Sequence, residues 1–81
     1  GDTVVVVGGA NSNNTKQLVK RSQALGCTAY HIQTADDLDE SWFREAQEVG
    51  VTAGTSTLKE TVQDVVARLK TWADLPEPAL V

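Results

Sequence analysis

One cysteine in 81 residues, Cys27, leaves no internal disulfide to be made, and nothing points to an oxidising compartment. No stretch approaches the ~18 apolar residues of a membrane span, and no basic segment leads into an apolar run as in a signal peptide, so neither is expected within these residues. Basic residues are few and scattered, seven against eleven acidic ones for a net charge of -4. A phosphate backbone or an anionic membrane attracts clustered Lys and Arg, so nucleic acid and membrane are both excluded as main partners. The chain has no G-x-G-x-x-G and no Gly-Lys-Ser/Thr, which leaves nucleotide binding unsupported. It also has no internal repeat and no low-complexity stretch. Hydrophobic residues at 41% and charged residues at 22% are ordinary for one small globular domain.

Residues 4–7 are four consecutive valines ended by Gly8 and Gly9, the pattern of a strand buried on both faces of a parallel sheet. A helix is predicted over residues 15–25 from Leu18, Val19, Ala24 and Leu25, with Gly26 placed for a left-handed C-terminal cap. Residues 28–32 form a second, more amphipathic strand suited to a sheet edge. Thr34 with Asp37 resembles a capping box opening a short turn, and Asp39 is placed to cap a helix running through Trp42, Phe43 and Ala46. A third strand is predicted over residues 49–53, where Gly50 marks a close approach of another backbone or a ligand. The last helix carries Leu58, Val62, Val65, Val66 and Leu69 on one face, with Thr57 and Glu60 as its capping box. Residues 1–71 are thus one α/β domain, and 72–81, with Pro76 and Pro78, a tail or linker. The chain starts at Gly1 rather than Met, as a domain excised from a longer protein would.

A βαβαβα order with short connections implies a parallel sheet with right-handed crossovers, and the valine strand belongs in its centre. The expected fold is a small three-layer αβα domain with strand order 2-1-3. That order makes the chain reverse between strands 1 and 3, and ligands of open α/β sheets bind at such a switch point, outside the carboxyl ends of the strands. Two polar, Gly-containing turns flank it: Gly8-Gly9-Ala10-Asn11-Ser12-Asn13-Asn14-Thr15 and Ala53-Gly54-Thr55-Ser56-Thr57. Both precede helices, where unpaired N–H groups and the helix dipole hold anions. Ser12, Asn14 and Ser56 are the candidate ligands. Each is also explained as a cap, Asn14 most readily, with Gln17 answering at the third helical position.

The residues Asn11-Ser12-x-Asn14-Thr15 after Val-Val-Gly-Gly carry a resemblance, together with Ala29-Tyr30-His31-Ile32, Ala35-Asp36-Asp37-Leu38, Trp42 and Val49-Gly50-Val51-Thr52-Ala53-Gly54-x-Ser56. Residues 2–70 resemble the C-terminal part of the LytB/IspH family, the 4-hydroxy-3-methylbut-2-enyl diphosphate reductases. The resemblance implies an oxidoreductase of the methylerythritol phosphate route of isoprenoid biosynthesis, with three α/β domains around a [4Fe-4S] cluster held by one cysteine from each. This chain would be most of the third domain. The implied diphosphate-binding residues are Ser12, Asn14 and Ser56, with Asn13 and Thr15 as secondary candidates. The implied partners are an allylic diphosphate and an electron-donor protein, and the implied location is the bacterial cytoplasm or the plastid.

This sequence departs from the family pattern in places. Asn13 stands where the family often has a second Ser, and Thr57-Leu58 where Ala-Pro is usual; both keep a helix start. The family's third cluster cysteine precedes the strand at Val4 and is absent here. Its histidines, catalytic glutamate and other cysteines belong to earlier domains. No catalytic residue and no metal ligand is therefore expected in this chain, and the isolated fragment should be inactive as a reductase.

The remaining chemistry-bearing residues have structural explanations. Cys27 reads as a small apolar residue at the start of strand 2, and His31 lies inside that strand without a second ligand at metal spacing. Tyr30, Trp42 and Phe43 read as packing, and Asp36, Asp37, Asp39 and Glu40 as caps and solvated charge. Two other functional classes stay open: a non-enzymatic phosphate- or anion-binding module, and an assembly module whose loop polar groups act only as caps.

Overall fold

A strand with β-branched side chains on both faces is stable only between two layers, and the valines of residues 4–7 lie in such a strand. In the computed structural model, which describes residues 2–44, 46–54, 57–72 and 77–80, β1 (Asp2–Val7) is followed by α1 (Asn13–Ala24) and β2 (Thr28–Ile32). Two 3-10 turns (Ala35–Asp37 and Glu40–Phe43), β3 (Glu48–Ala53), α2 (Lys59–Lys70) and β4 (Ala79–Leu80) complete the order. The sheet runs β2-β1-β3-β4 with every pairing parallel. The 2-1-3 order and the switch point between β1 and β3 are as the sequence implies.

Register decides which side chains share a face. Val5 pairs with Tyr30 and Val51, and Val7 with Ile32 and Ala53. This face packs against Phe43 and against Val65 and Leu69 of α2, forming the main apolar core. Val5, Val7, Val51, Val65 and Phe43 are completely buried. Tyr30 stacks on Trp42 with ring centroids 4.2 Å apart, and Phe43 lies against both rings and against Trp72. The aromatics are packing groups, as expected. The opposite face, with Val4, Val6, Gly50 and Thr52, is the side of α1.

Several local expectations are displaced. The first helix begins at Asn13 and its N-cap is Ser12, whose hydroxyl accepts from Thr15 N–H at 3.3 Å, so Asn14 is not the cap. At its other end Gly26 adopts φ +87°. Cys27 N–H bonds Ser22 O and Gly26 N–H bonds Gln23 O, a Schellman stop that needs the glycine's left-handed conformation. Residues 40–43 make only a short 3-10 turn instead of a helix reaching Ala46, with Asp39 accepting from Ser41 N–H and Oγ. The last helix starts at Lys59, one residue after a Leu58 that is 70% exposed, so the Thr57–Glu60 capping box does not form. Thr57 instead donates to the Val7 carbonyl. Within the expected tail, Trp72 joins the core margin and β4 extends the sheet beside β3.

The turn at residues 34–37 forms as the sequence implies, with Asp37 Oδ2 accepting from the N–H groups of Gln33 and Thr34 at 2.9 and 3.1 Å. These two bonds hold the Asp37 carboxyl below the ordinary aspartate range. Folding that depresses a carboxyl pKa adds stability above the unfolded value, about 3.9, and the gain vanishes as pH falls through the folded value. Asp37→Asn is therefore expected to lower the melting temperature at pH 7, with the difference shrinking as pH falls through the folded-state value of the carboxyl. Thermal melts of the two proteins across that range check it; a constant offset at every pH would contradict the assignment.

Candidate functional site

Both polar turns leave the sheet at the same level. Val7, the last residue of β1, is the register partner of Ala53, the last of β3, so Gly8 and Gly54 begin their loops side by side. The Val7 carbonyl joins them, accepting Gly54 N–H at 3.1 Å and the Thr57 hydroxyl at 3.0 Å. The Gly8 peptide is held from the other neighbour: its N–H donates to Ile32 O and its carbonyl accepts His31 Nε2–H, each at 2.9 Å. A carbonyl can only accept, so this contact places the His31 proton on Nε2.

The glycines serve here by lacking a side chain. A Cβ on Gly8 would come within 2.2 Å of Thr15 Oγ1, and one on Gly54 within 2.8 Å of the same atom and 3.2 Å of Asn14 Oδ1. Residues of the first helix turn therefore reach across to the second loop. Thr15 is fully buried at this junction, Ser12 is half-buried, and Asn13 and Asn14 are exposed. Ser12 accepts with one lone pair and keeps its own proton to donate, so capping and ligand binding are compatible there. The first turn of α1 contains no acidic residue, which leaves the positive end of its dipole unopposed for an anion. Ser56 and Thr55 lie outside the described residues; Gly54 and Thr57 on either side of them belong to this junction.

A concavity lies elsewhere. A cavity of about 680 Å³ opens on the α1 face near the amino ends of the strands, between Val4, Leu18, Gly50 and Ala79. Asp2, Glu48 and Glu77 line it against a single Arg21, a charge balance unsuited to phosphate. Cys27, half-buried, borders the same cavity, remote from the two loops. Among the described residues no group of three or more His, Cys, Asp or Glu is placed to hold a metal ion. No helix among them is long and apolar enough to cross a membrane.

The model of the LytB protein family matches residues 1–70. The chain belongs to the LytB family. Among curated relatives, the 4-hydroxy-3-methylbut-2-enyl diphosphate reductase of Geobacter sulfurreducens is 46% identical over 69 residues, which are 85% of this chain and 24% of that protein. The reductase of that name from Cronobacter sakazakii is 48% identical over 69 residues and is covered to 22%. Among solved structures, that of (E)-4-hydroxy-3-methyl-but-2-enyl diphosphate reductase, described as the terminal enzyme of the non-mevalonate pathway, superposes with a TM-score of 0.79 at 38% identity. The match covers 86% of this chain and 25% of that one. The chain thus spans about a quarter of the length of the family members it matches.

Sequence reasoning named Asn14 and Thr15 but not what brings them beside Gly54 of the second loop. Gly8 and Gly54 carry the signal, each a glycine directly after a β-branched strand and before a helix. The His31 contact with Gly8 has no counterpart in local sequence.

Proposed function

We propose that this chain is the diphosphate-binding domain of a reductase acting on 4-hydroxy-3-methylbut-2-enyl diphosphate. The observation that carries the proposal is the junction itself: the first turn of α1, free of acidic residues, meets Gly54 of the second loop over the switch point. Ser12, Asn14 and Ser56 are the proposed ligands, with Asn13 beside them. Ser12 and Ser56 would donate hydroxyl protons and Asn14 its side-chain amide, while the helix N–H groups complete the shell.

The [4Fe-4S] cluster that the family resemblance implies does not fit these residues. A cluster needs thiolates converging from several segments, and Cys27 is the chain's one cysteine, at the opposite end of the sheet from the loops. The domain's part is binding and orientation, and the electron-transfer chemistry, the cluster and the electron-donor protein belong to the remainder of the enzyme.

Charge-assisted hydrogen bonds contribute roughly 1.5 to 3 kcal/mol each, but losing rigid-body freedom costs several kcal/mol. The chain alone should therefore bind pyrophosphate on the order of millimolar. In the complete enzyme, Ser12→Ala, Asn14→Ala and Ser56→Ala are each expected to lower kcat/KM by about tenfold or more with the cluster's absorbance unchanged. Steady-state kinetics beside the visible spectrum measures this. Unchanged kinetics in all three variants would leave these side chains as caps only.

A further inference from the structure

We infer that Thr15, through its Oγ1 hydroxyl, donates a further hydrogen bond to the bound anion, directly or through one ordered water; this rests on the two-loop diphosphate reading above. Thr15 is fully buried, and among the described residues its Oγ1 has no hydrogen-bond partner. Buried hydroxyls are ordinarily paired, and one left without a partner destabilises the fold. A helical threonine usually satisfies itself on the carbonyl one turn back, and this one does not. Its backbone N–H is already capped by Ser12, so the hydroxyl alone is unmatched.

The surroundings are arranged around that atom. Gly8 and Gly54 both lack a side chain where Oγ1 sits, with virtual Cβ positions 2.2 and 2.8 Å from it. One loop glycine from each side of the switch point thus yields to the same hydroxyl. Valine would fill the space with the same shape and no polar atom to satisfy. An unpaired donor at the start of a 12-residue helix without acidic residues in its first turn is matched by an acceptor arriving with the ligand. Phosphate oxygen is the acceptor that this end of the helix favours.

The two roles predict opposite responses to Thr15→Val. If the hydroxyl waits for the anion, the ligand-free variant melts at or above the wild-type temperature, because an unsatisfied donor has been removed. Its pyrophosphate affinity nevertheless falls about tenfold or more, the loss of one hydrogen bond to a charged group. Thr15→Ser, which keeps the hydroxyl and drops the methyl, restores binding. The experiment is a pyrophosphate titration of the ¹⁵N-labelled 81-residue chain and both variants, followed by amide shifts, with thermal melts of each without ligand. Wild-type shifts at Ser12, Asn14 and Gly54 with equal binding by Thr15→Val would overturn the role of Thr15 and leave the two-loop site standing. Joint loss of stability and binding in Thr15→Val without rescue in Thr15→Ser would reduce Thr15 to packing and overturn it as well. Absence of wild-type shifts in both loops would refute the two-loop site itself.

Discussion

Gly8→Ala is expected to lower the stability of the chain by up to about 3 kcal/mol, the upper end of the usual cost of overpacking. The new methyl would fall 2.2 Å from Thr15 Oγ1 and about as close to Cγ2 and Cβ of that residue as atoms can approach, at 3.0 and 3.1 Å. Neither side yields easily. The Gly8 peptide is bonded to Ile32 and His31 on both of its polar groups, and Thr15 has a short β-branched side chain anchored in α1. The clash is local, so it should be relieved by shortening the neighbour. Gly8→Ala combined with Thr15→Ala is expected to cost less than the sum of the single changes, by more than the ~0.5 kcal/mol scatter of independent sites. Urea midpoints of the four proteins measure the coupling; additive costs would contradict the contact.

Phe43→Ala is expected to be the most damaging single truncation, at about 3 to 5 kcal/mol. Phe43 is completely buried, and it joins three aromatic neighbours, Tyr30, Trp42 and Trp72, to the core beneath α2. Small domains have only about 5 to 15 kcal/mol of stability in total. At about 4 to 8 °C per kcal/mol for a domain of this size, the melting temperature should fall by roughly 12 °C or more. Calorimetry decides it: a fall of a few degrees would mean that the short turn carrying Phe43 is not part of the cooperative core. Asp39, which caps that turn through Ser41, would then have little to hold in place.

The features legible in the sequence are those set by short-range pattern. Four valines require burial on both faces and so place β1 at the sheet centre. Gly26 ends α1 because the stop needs a positive φ. Thr34 and Asp37 announce their turn because both bonds are local. What escaped notice depends on contacts made at long range. Thr57 has the residue type and spacing of an N-cap, yet its hydroxyl goes to Val7, fifty residues away in sequence. Ser12 and Asn14 are both good caps, and only the path of the loop from Gly9 decides between them, through Ser12 N–H on the Gly9 carbonyl. Thr15 lies in a polar stretch and is buried because Gly8 and Gly54 both pack against its side chain. β4 is two residues long, too short for any periodicity to reveal.

For the site, the two loops were readable because glycine after a strand and a hydroxyl or amide before a helix are local signals. The junction was not, since it depends on the pairing of Val7 with Ala53 and on the closeness of Gly54 to Asn14 and Thr15. Ser12, Asn14 and Ser56 remain proposals as ligands, and Ser56 lies outside the described residues.

The central claim is that the loops after β1 and β3 hold one diphosphate between them, and a crystal structure of the chain grown with millimolar pyrophosphate tests it most directly. The account predicts density for the anion at the N-terminus of α1, in contact with Ser12 and Asn14 from one loop and Ser56 from the other. Density in the cavity beside Arg21, or an anion touching one loop with Ser56 turned away, would contradict it.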